Sequence, residues 1–347
     1  MTHIELVELK KTYPGNHQPV LNHLSLEIHS GELVALLGPS GSGKSTILKL
    51  ITGLENPDDG QILFDGKSIL PVAPNKRGAI LMFQKAYLFP FLNVEENIGF
   101  GLKVQGANPE TIRTEVKKML NLIGLPEVEK RKPSQLSGGE QQRIALARAL
   151  ILQPKSMLLD EPLSSLDTEV RVNLQEAIRR IQQELGITTI LVTHDLNEAM
   201  GMSDRTALLI NGQVAAVDQP MKLFTSPPTQ SSARFVGVST FFKGNLANGV
   251  LTTDLGKLSV NTNGHHADSA LFAIRPEHIR VQTEPNTNTL QGVVSDCMYR
   301  GEYIEYQVEI QSLNVRARVP MPAPVIPHGE NIYVYFPPEK LFEVSQK

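Results

Sequence analysis

The stretch GELVALLGPSGSGKST, Gly31 to Thr46, constrains the fold more than any other part of the chain. Its first half, ELVALL, is a short apolar run that suits a buried strand. Gly38, Pro39, Ser40, Gly41, Ser42, Gly43, Lys44, Ser45 and Thr46 follow, and then ILKLITGL, which has helical spacing. Gly, four residues and Gly-Lys-Ser between a strand and a helix form the context of a phosphate-binding loop. The glycines let backbone N–H groups wrap a β-phosphate. Lys44 is placed to reach the β and γ oxygens, and the Ser45 hydroxyl to ligate Mg²⁺.

Such a loop needs an acidic element for the metal, and SMLLDEP, Ser156 to Pro162, supplies one. Met157, Leu158 and Leu159 read as a strand core. Asp160 and Glu161 stand at its C-terminal end, where open parallel sheets bind their ligands. Asp160 is expected to hold Mg²⁺ through water, and Glu161 to polarise the attacking water as general base. A third strand, ITTILVTHD, carries His194 at its tip. A neutral imidazole there can donate to a γ-phosphate or hold the water and Glu161 in place.

A second anion cradle lies in LSGGEQQR, Leu136 to Arg143, where two glycines precede a helical run. Free N–H groups and the positive end of the helix dipole meet at such a start. One nucleotide needs one set of phosphate contacts, and no second P-loop is found. The expectation is therefore a head-to-tail pair, with Ser137 and Gly139 of one chain closing over ATP held by Lys44 of the other. Two ATP molecules would sit at the two-fold interface.

In their order GPSGSGKST, LSGGEQQR, MLLDEP, SSLD and VTHD, these motifs resemble the nucleotide-binding subunits of ABC transporters. The C-terminal third resembles the β-rich regulatory domain of bacterial importer ATPases. The resemblance implies an α/β P-loop NTPase cassette with a helical subdomain, followed by a small all-β, OB-like barrel. It implies that Tyr13 stacks on adenine and that Gln84 contacts Mg²⁺ or water and senses membrane subunits. Leu136 to Glu140 are then the signature loop, with Ser137, Gly138 and Gly139 at the nucleotide, and Asp167 crosses the dimer interface. Glu140 stands where the family commonly has glutamine; it removes donors, adds negative charge, and is read as a tolerated variant.

The family further implies an ATP hydrolase with ATP and Mg²⁺ that drives separate transmembrane permease subunits, with a solute-binding protein involved indirectly. It implies a homodimer through the ATP sites, peripheral at the cytoplasmic face of the cell membrane. The expected cargo is a small solute: a polyamine, ferric iron, sulfate or a sugar. The alternative is a soluble cassette ATPase acting on ribosomes or DNA. Those usually carry tandem cassettes or a long coiled-coil insertion, and neither is seen here. A guanine-reading Asn-Lys-x-Asp motif is also missing, since PNKRG at Pro74 does not fit it.

Bulk composition agrees. Of the 347 residues, 41% are hydrophobic and 20% charged, as in ordinary globular chains. A net charge of −3 argues against a general nucleic-acid binder. The single cysteine, Cys297, excludes an internal disulfide and fits a reducing compartment. The opening MTHIELVELKK has no secretory pattern, and no run approaches the roughly 18 apolar residues of a membrane span.

The cassette is expected over residues 1–237, with a helical subdomain at about 85–153, and the β domain over 238–347. In ETIRTEVKKMLNLIGL, Ile112, Val116, Met119, Leu120 and Ile123 recur at helical spacing. Leu174, Ile178, Ile181 and Leu185 mark one face of another helix, ended by Gly186. RTALLINGQVAAV reads as two strands around an Asn-Gly turn. In YIEYQVEI, Ile304, Tyr306, Val308 and Ile310 should face the core while Glu305, Gln307 and Glu309 face out. The β domain is read as a dimer contact or a regulatory surface. KAYLFPFLNV is read either as core or as a groove for a short amphipathic helix of a membrane subunit. Lys130, Arg131 and Lys132 read as a solvated charged face, and His265 and His266 are assigned nothing.

Overall fold

Runs of unequal hydrophobicity separate two kinds of sheet. The strands β1 (Ile4–Lys11) and β2 (Leu21–Ile28) pair antiparallel, and β2 alternates buried and accessible residues, as a one-faced sheet requires. All five residues of β3 (Leu33–Leu37) are buried, as in a strand covered on both faces. The strands β4 (Asp59–Phe64) and β5 (Lys67–Ser68) complete a four-stranded sheet in the order β2-β1-β4-β5. The central sheet takes β6 (Ala79–Met82), β7 (Ser156–Asp160), β8 (Thr188–Thr193), β9 (Arg205–Ile210) and β10 (Gln213–Asp218) around β3. Its order is β10-β9-β3-β8-β7-β6. Only β10 runs antiparallel, returned by Asn211 and Gly212 at φ 51 and 73, which is the chemistry of an Asn-Gly hairpin.

These features come from a computed structural model that describes residues 2–346 except 16, 165 and 263–265. His265 and the Ser165 of SSLD thus lie outside the described residues. The chain divides into two compact units, Met1–Met221 and Lys222–Lys347, so the expected boundary at Val238 falls inside the second.

In the first unit, α1 (Lys44–Thr52) leaves β3, and α2 (Val94–Val104), α3 (Pro109–Leu122) and α4 (Gly138–Leu150) pack on one another. The helices α5 (Thr168–Leu185) and α6 (Leu196–Met202) flank β8. Val116, Leu120 and Ile123 are buried as their spacing predicts. On α5, Leu174, Ile178 and Ile181 are buried, but Leu185 is 47% exposed. The last turn runs past the core, and Gln182 is buried instead, donating to the carbonyls of Gly31 (2.8 Å) and Ile187 (3.1 Å). Among the described residues, no helix is long and apolar enough to cross a membrane.

The second unit opens with α7 (Pro220–Thr225, which begins in the first) and α8 (Gln230–Phe235). Its strands are β11 (Thr240–Ala247), β12 (Val250–Thr253), β13 (Gly256–Ser259), β14 (Ala267–Ile274), β15 (Arg280–Gln282) and β16 (Thr289–Tyr299). The last four are β17 (Tyr303–Ile310), β18 (Leu313–Pro320), β19 (Asn331–Tyr335) and β20 (Phe342–Glu343). They form two five-stranded antiparallel sheets, β13-β12-β11-β14-β20 and β15-β19-β16-β17-β18, around one core that includes Phe242, Phe272, Tyr306 and Phe336. Buried Arg275 explains why 222–238 belong here. It donates to the carbonyls of Phe224 and Val236 (the latter at 3.0 Å) and lies 3.4 Å from the centre of the Phe224 ring.

One expectation for β17 is overturned. Ile304, Tyr306, Val308 and Ile310 do face the core, but Glu305 is only 8% exposed. Arg318 Nε donates to its carboxylate at 3.0 Å, and Arg300 and Arg316 each approach to 3.9 Å. Cross-strand partners, invisible in the β17 pattern alone, cover it.

Candidate active site

Parallel register gathers the site at one edge of the central sheet. Leu37 stands opposite Thr193, and Asp160 opposite Val192, so the chain leaves β3, β7 and β8 side by side. This is the edge at which open α/β sheets bind ligands. The P-loop springs from β3 through Gly38. A Cβ there would lie 2.2 Å from the Leu209 carbonyl oxygen, so only glycine lets the loop pass β9. Gly43 caps α1 in a left-handed conformation, φ 99.

Lys44 is 7% exposed, and its ammonium donates to the carbonyls of Gly38 (2.7 Å) and Pro39 (2.9 Å). Burial lowers its pKa, opposed by the charges of Glu161 and Asp160. Ser45 Oγ donates to Asp160 Oδ1 at 2.9 Å. Burial pushes the Asp160 carboxyl up from its ordinary value, and the Ser45 hydrogen bond pulls it back. A hydroxyl and a carboxylate in contact form an oxygen-only donor set, which fits a hard cation such as Mg²⁺. The Tyr13 hydroxyl lies 3.4 Å from Thr46 Oγ1, so its ring stands beside the first turn of α1.

Glu161 follows β7 with φ 47, a left-handed backbone that glutamate rarely adopts and that marks local strain. Its N–H donates to the Val192 carbonyl (3.0 Å), and its Oε1 lies 3.3 Å from His194 Nδ1. Three residues not singled out in the sequence hold the His194 turn. Thr193 Oγ1 donates to Glu198 (2.6 Å) and accepts from the Asp195 N–H (2.9 Å), while the Asp195 carboxylate caps α6. The signal was present, because Asp195 with Glu198 three residues later is a helix-start pattern.

Gln84 joins this group through a relay. Its Nε2 donates to Ser164 Oγ (2.9 Å), which donates to the Glu161 carbonyl (3.0 Å). Gln142 of α4 donates to the Gln84 carbonyl (2.7 Å), so α4 grips the same loop. Neither Ser164 nor Gln142 announces this, since each meets a partner from a distant element.

Ser137 caps α4, accepting from the Glu140 N–H (3.3 Å), while its own N–H donates to the Glu140 carboxylate (2.7 Å). Glu140 is thus the acid of a reciprocal cap, a stabilising place for negative charge at a helix start. Beyond being a tolerated variant, Glu140 thus serves the cap itself. Arg131 approaches it at 3.9 Å and Lys130 pairs with Glu95 at 2.6 Å, so both cations have acidic partners. A Cβ on Gly139 would lie 2.4 Å from Val170 Cγ1, so glycine lets the start of α4 press on that of α5. Asp167 caps α5 there, accepting from the Val170 N–H (3.0 Å). Ser137, Gly138, Gly139 and Asp167 therefore share one patch, and the side-chain bonds of Ser137 stay within its cap.

Beside Gln84 lies an apolar groove of about 620 Å³ lined by Phe83, Tyr87, Phe89, Phe100 and Arg148, among others. Tyr87 is 65% exposed and nearby Phe91 72%, whereas Phe89 is half-buried against Phe100. Arg148 donates to the carbonyls of Ala86 and Tyr87, each at 3.0 Å, and stiffens the wall. Of the two readings of KAYLFPFLNV, the groove describes most of these aromatics.

Residues 21–164 match the family model described as ABC transporter, and residues 272–342 the one described as TOBE domain. A spermidine/putrescine import ATP-binding protein of Clostridium acetobutylicum is 41% identical over 317 residues, 89% of this chain and 88% of that protein. An Fe(3+) ions import ATP-binding protein of Fusobacterium nucleatum is 35% identical over 345 residues, covering 97% and 92%. Among solved structures, the dimeric ATP-binding cassette MJ0796, in a post-hydrolysis state with ADP and Pi, matches with TM-score 0.56 and 31% identity. That match covers 62% of this chain and 98% of that one.

Proposed function

Because the chain belongs to the ATP-binding subunits of ABC transporters that carry a C-terminal TOBE domain, we propose that it is the motor of an importer of a small solute. It is an ATP-hydrolysing transport ATPase. The relatives are named for spermidine/putrescine and for Fe(3+), which supports a polyamine or ferric iron as cargo and favours transport over work on ribosomes or DNA.

One observation carries the reading: Lys44, the Ser45–Asp160 contact and the Glu161–His194 pair converge where β3, β7 and β8 end. Lys44 exchanges its carbonyl partners for the β and γ oxygens of ATP. Ser45 and Asp160, with Gln84, would hold Mg²⁺, which neutralises phosphate charge when bound. Glu161 orients and deprotonates the attacking water, and His194 holds Glu161 and donates to the γ-phosphate. Tyr13 stacks on the adenine.

The patch of Ser137, Gly138, Gly139 and Asp167 closes over the nucleotide of a second copy, in keeping with the dimeric cassette matched above. The groove beside Gln84 receives a short helix of a separate membrane permease at the cytoplasmic face, and a solute-binding protein acts beyond it. The relay Gln142–Gln84–Ser164–Glu161 joins that groove to the catalytic base. Purification of the tagged chain from detergent-solubilised membranes of its host should recover multi-span proteins. Recovery of ribosomal or DNA-repair proteins alone would overturn the transport reading. In transport assays Phe89→Ala should uncouple cargo uptake while basal ATPase stays within about twofold.

A further inference from the structure

Two short sequences near the start of the chain mirror one another: His3-Ile4-Glu5 and Glu27-Ile28-His29. Antiparallel pairing sets Ile4 opposite Ile28 and Glu5 opposite Glu27, which carries His3 to His29. Both isoleucines are wholly buried, so the period of two turns the other four side chains to the opposite face. The rings of His3 and His29 stack there, with centroids 5.7 Å apart and planes inclined by 17°.

We propose that His3, Glu27 and His29, supported by Glu5, form a binding site for a divalent transition-metal ion of the Zn²⁺ class. The ligand atoms of His3, Glu27 and His29 all lie within 4.8 Å of one another. His3 Nε2 is 3.3 Å from Glu27 Oε1, His29 Nδ1 is 3.7 Å from the same oxygen, and His3 Nε2 is 3.7 Å from Glu5 Oε1. Tetrahedral Zn²⁺ with bonds of about 2.0–2.2 Å separates its ligand atoms by roughly 3.3–3.6 Å. Little movement brings these groups onto one ion.

The charge also fits. Two carboxylates directly opposite on one sheet face repel. A dication among two neutral imidazoles and the Glu27 carboxylate, with Glu5 beside it, offsets the charge of the two acids, and imidazole donors suit Zn²⁺ rather than Mg²⁺ or Ca²⁺. The backbone holds the imidazoles in place. The His3 N–H donates to Asp65 Oδ1 (2.8 Å), the His3 carbonyl accepts from the Asp65 N–H (2.9 Å), and the His29 N–H donates to Glu32 Oε2 (2.9 Å). The ligand side chains are accessible to solvent, so an ion can enter and exchange. The site lies at the end of β1 opposite Tyr13, so metal there clips β1 to β2 without touching the nucleotide loop.

The test adds one equivalent of ZnCl₂ to the untagged, metal-stripped full chain without nucleotide. Bound metal is read by competition with a chromophoric chelator, alongside the unfolding midpoint. The expected result is one ion per chain and a raised midpoint. His29→Ala and Glu27→Gln should each weaken binding at least about tenfold and abolish the shift, with basal ATPase unchanged. His194→Ala, which removes a close His–Glu pair of the nucleotide site, should bind as the parent does. No binding by the parent, equal binding by His29→Ala, or loss confined to His194→Ala would overturn the proposal.

Discussion

Glu161 in the first unit shares its surroundings with Lys44, Asp160 and His194; Glu305 in the second shares its own with Arg300, Arg316 and Arg318. Around Glu161 the groups are under opposed pressures. Burial lowers the Lys44 pKa and raises that of Asp160, and Glu161 sits on a left-handed backbone. Around Glu305 three cations cover one acid, and two β-sheets enclose the core beneath it. The difference teaches how to tell a charge cluster that works from one that holds. In the proposed function the first keeps donors and acceptors ready for groups supplied by a ligand; the second is completed by the chain itself.

The comparison can be broken most directly at Lys44. Lys44→Ala removes the cation of the phosphate loop and should abolish ATP binding, measured by fluorescent-nucleotide titration, while Glu305→Gln should leave ATP affinity within about twofold. In the opposite direction, Glu305→Gln leaves half-exposed arginines around a neutral side chain. It should cost about 1–3 kcal/mol in denaturant unfolding of the second unit, with ATPase unchanged. If Glu305→Gln impaired hydrolysis and spared stability, the contrast would fail.

Acidification sharpens the same distinction. Protonating Asp160 removes the charge that would hold Mg²⁺, and its pKa is raised. The apparent KM for Mg²⁺ should therefore rise as pH falls, beginning at higher pH than an ordinary aspartate would give. The smallest effect is expected at Glu140→Gln. Glutamine keeps the reciprocal cap but loses the charge at the start of α4, a change of about 0.3–1 kcal/mol readable as a small fall in melting temperature.

The sequence could name most residues of the candidate site because phosphate and metal chemistry would demand residue types at short, fixed spacings. Lys44 and Ser45 follow Gly43, Glu161 follows Asp160, and each pair closes an apolar strand or loop. What escaped was set by distant partners. Gln142 reaches the loop of Gln84, Arg300 of the β16–β17 turn and Arg316 and Arg318 of β18 enclose Glu305, and Arg275 draws Phe224 and Val236 into the second unit. The burial of Gln182 in place of Leu185 on α5 is a similar case, since helical spacing names a face but not where the core ends. Glu140 was legible as the acid of a Ser-x-x-Glu cap, yet family usage drew attention to the glutamine it replaces.

The most direct measurement is made on Glu161→Gln with ATP and Mg²⁺, following phosphate release and oligomeric state together. The account predicts that hydrolysis falls by about 10²–10⁴-fold, as for loss of a general base, while an ATP-dependent dimer accumulates in size-exclusion chromatography. Phosphate release at the parent rate would contradict it.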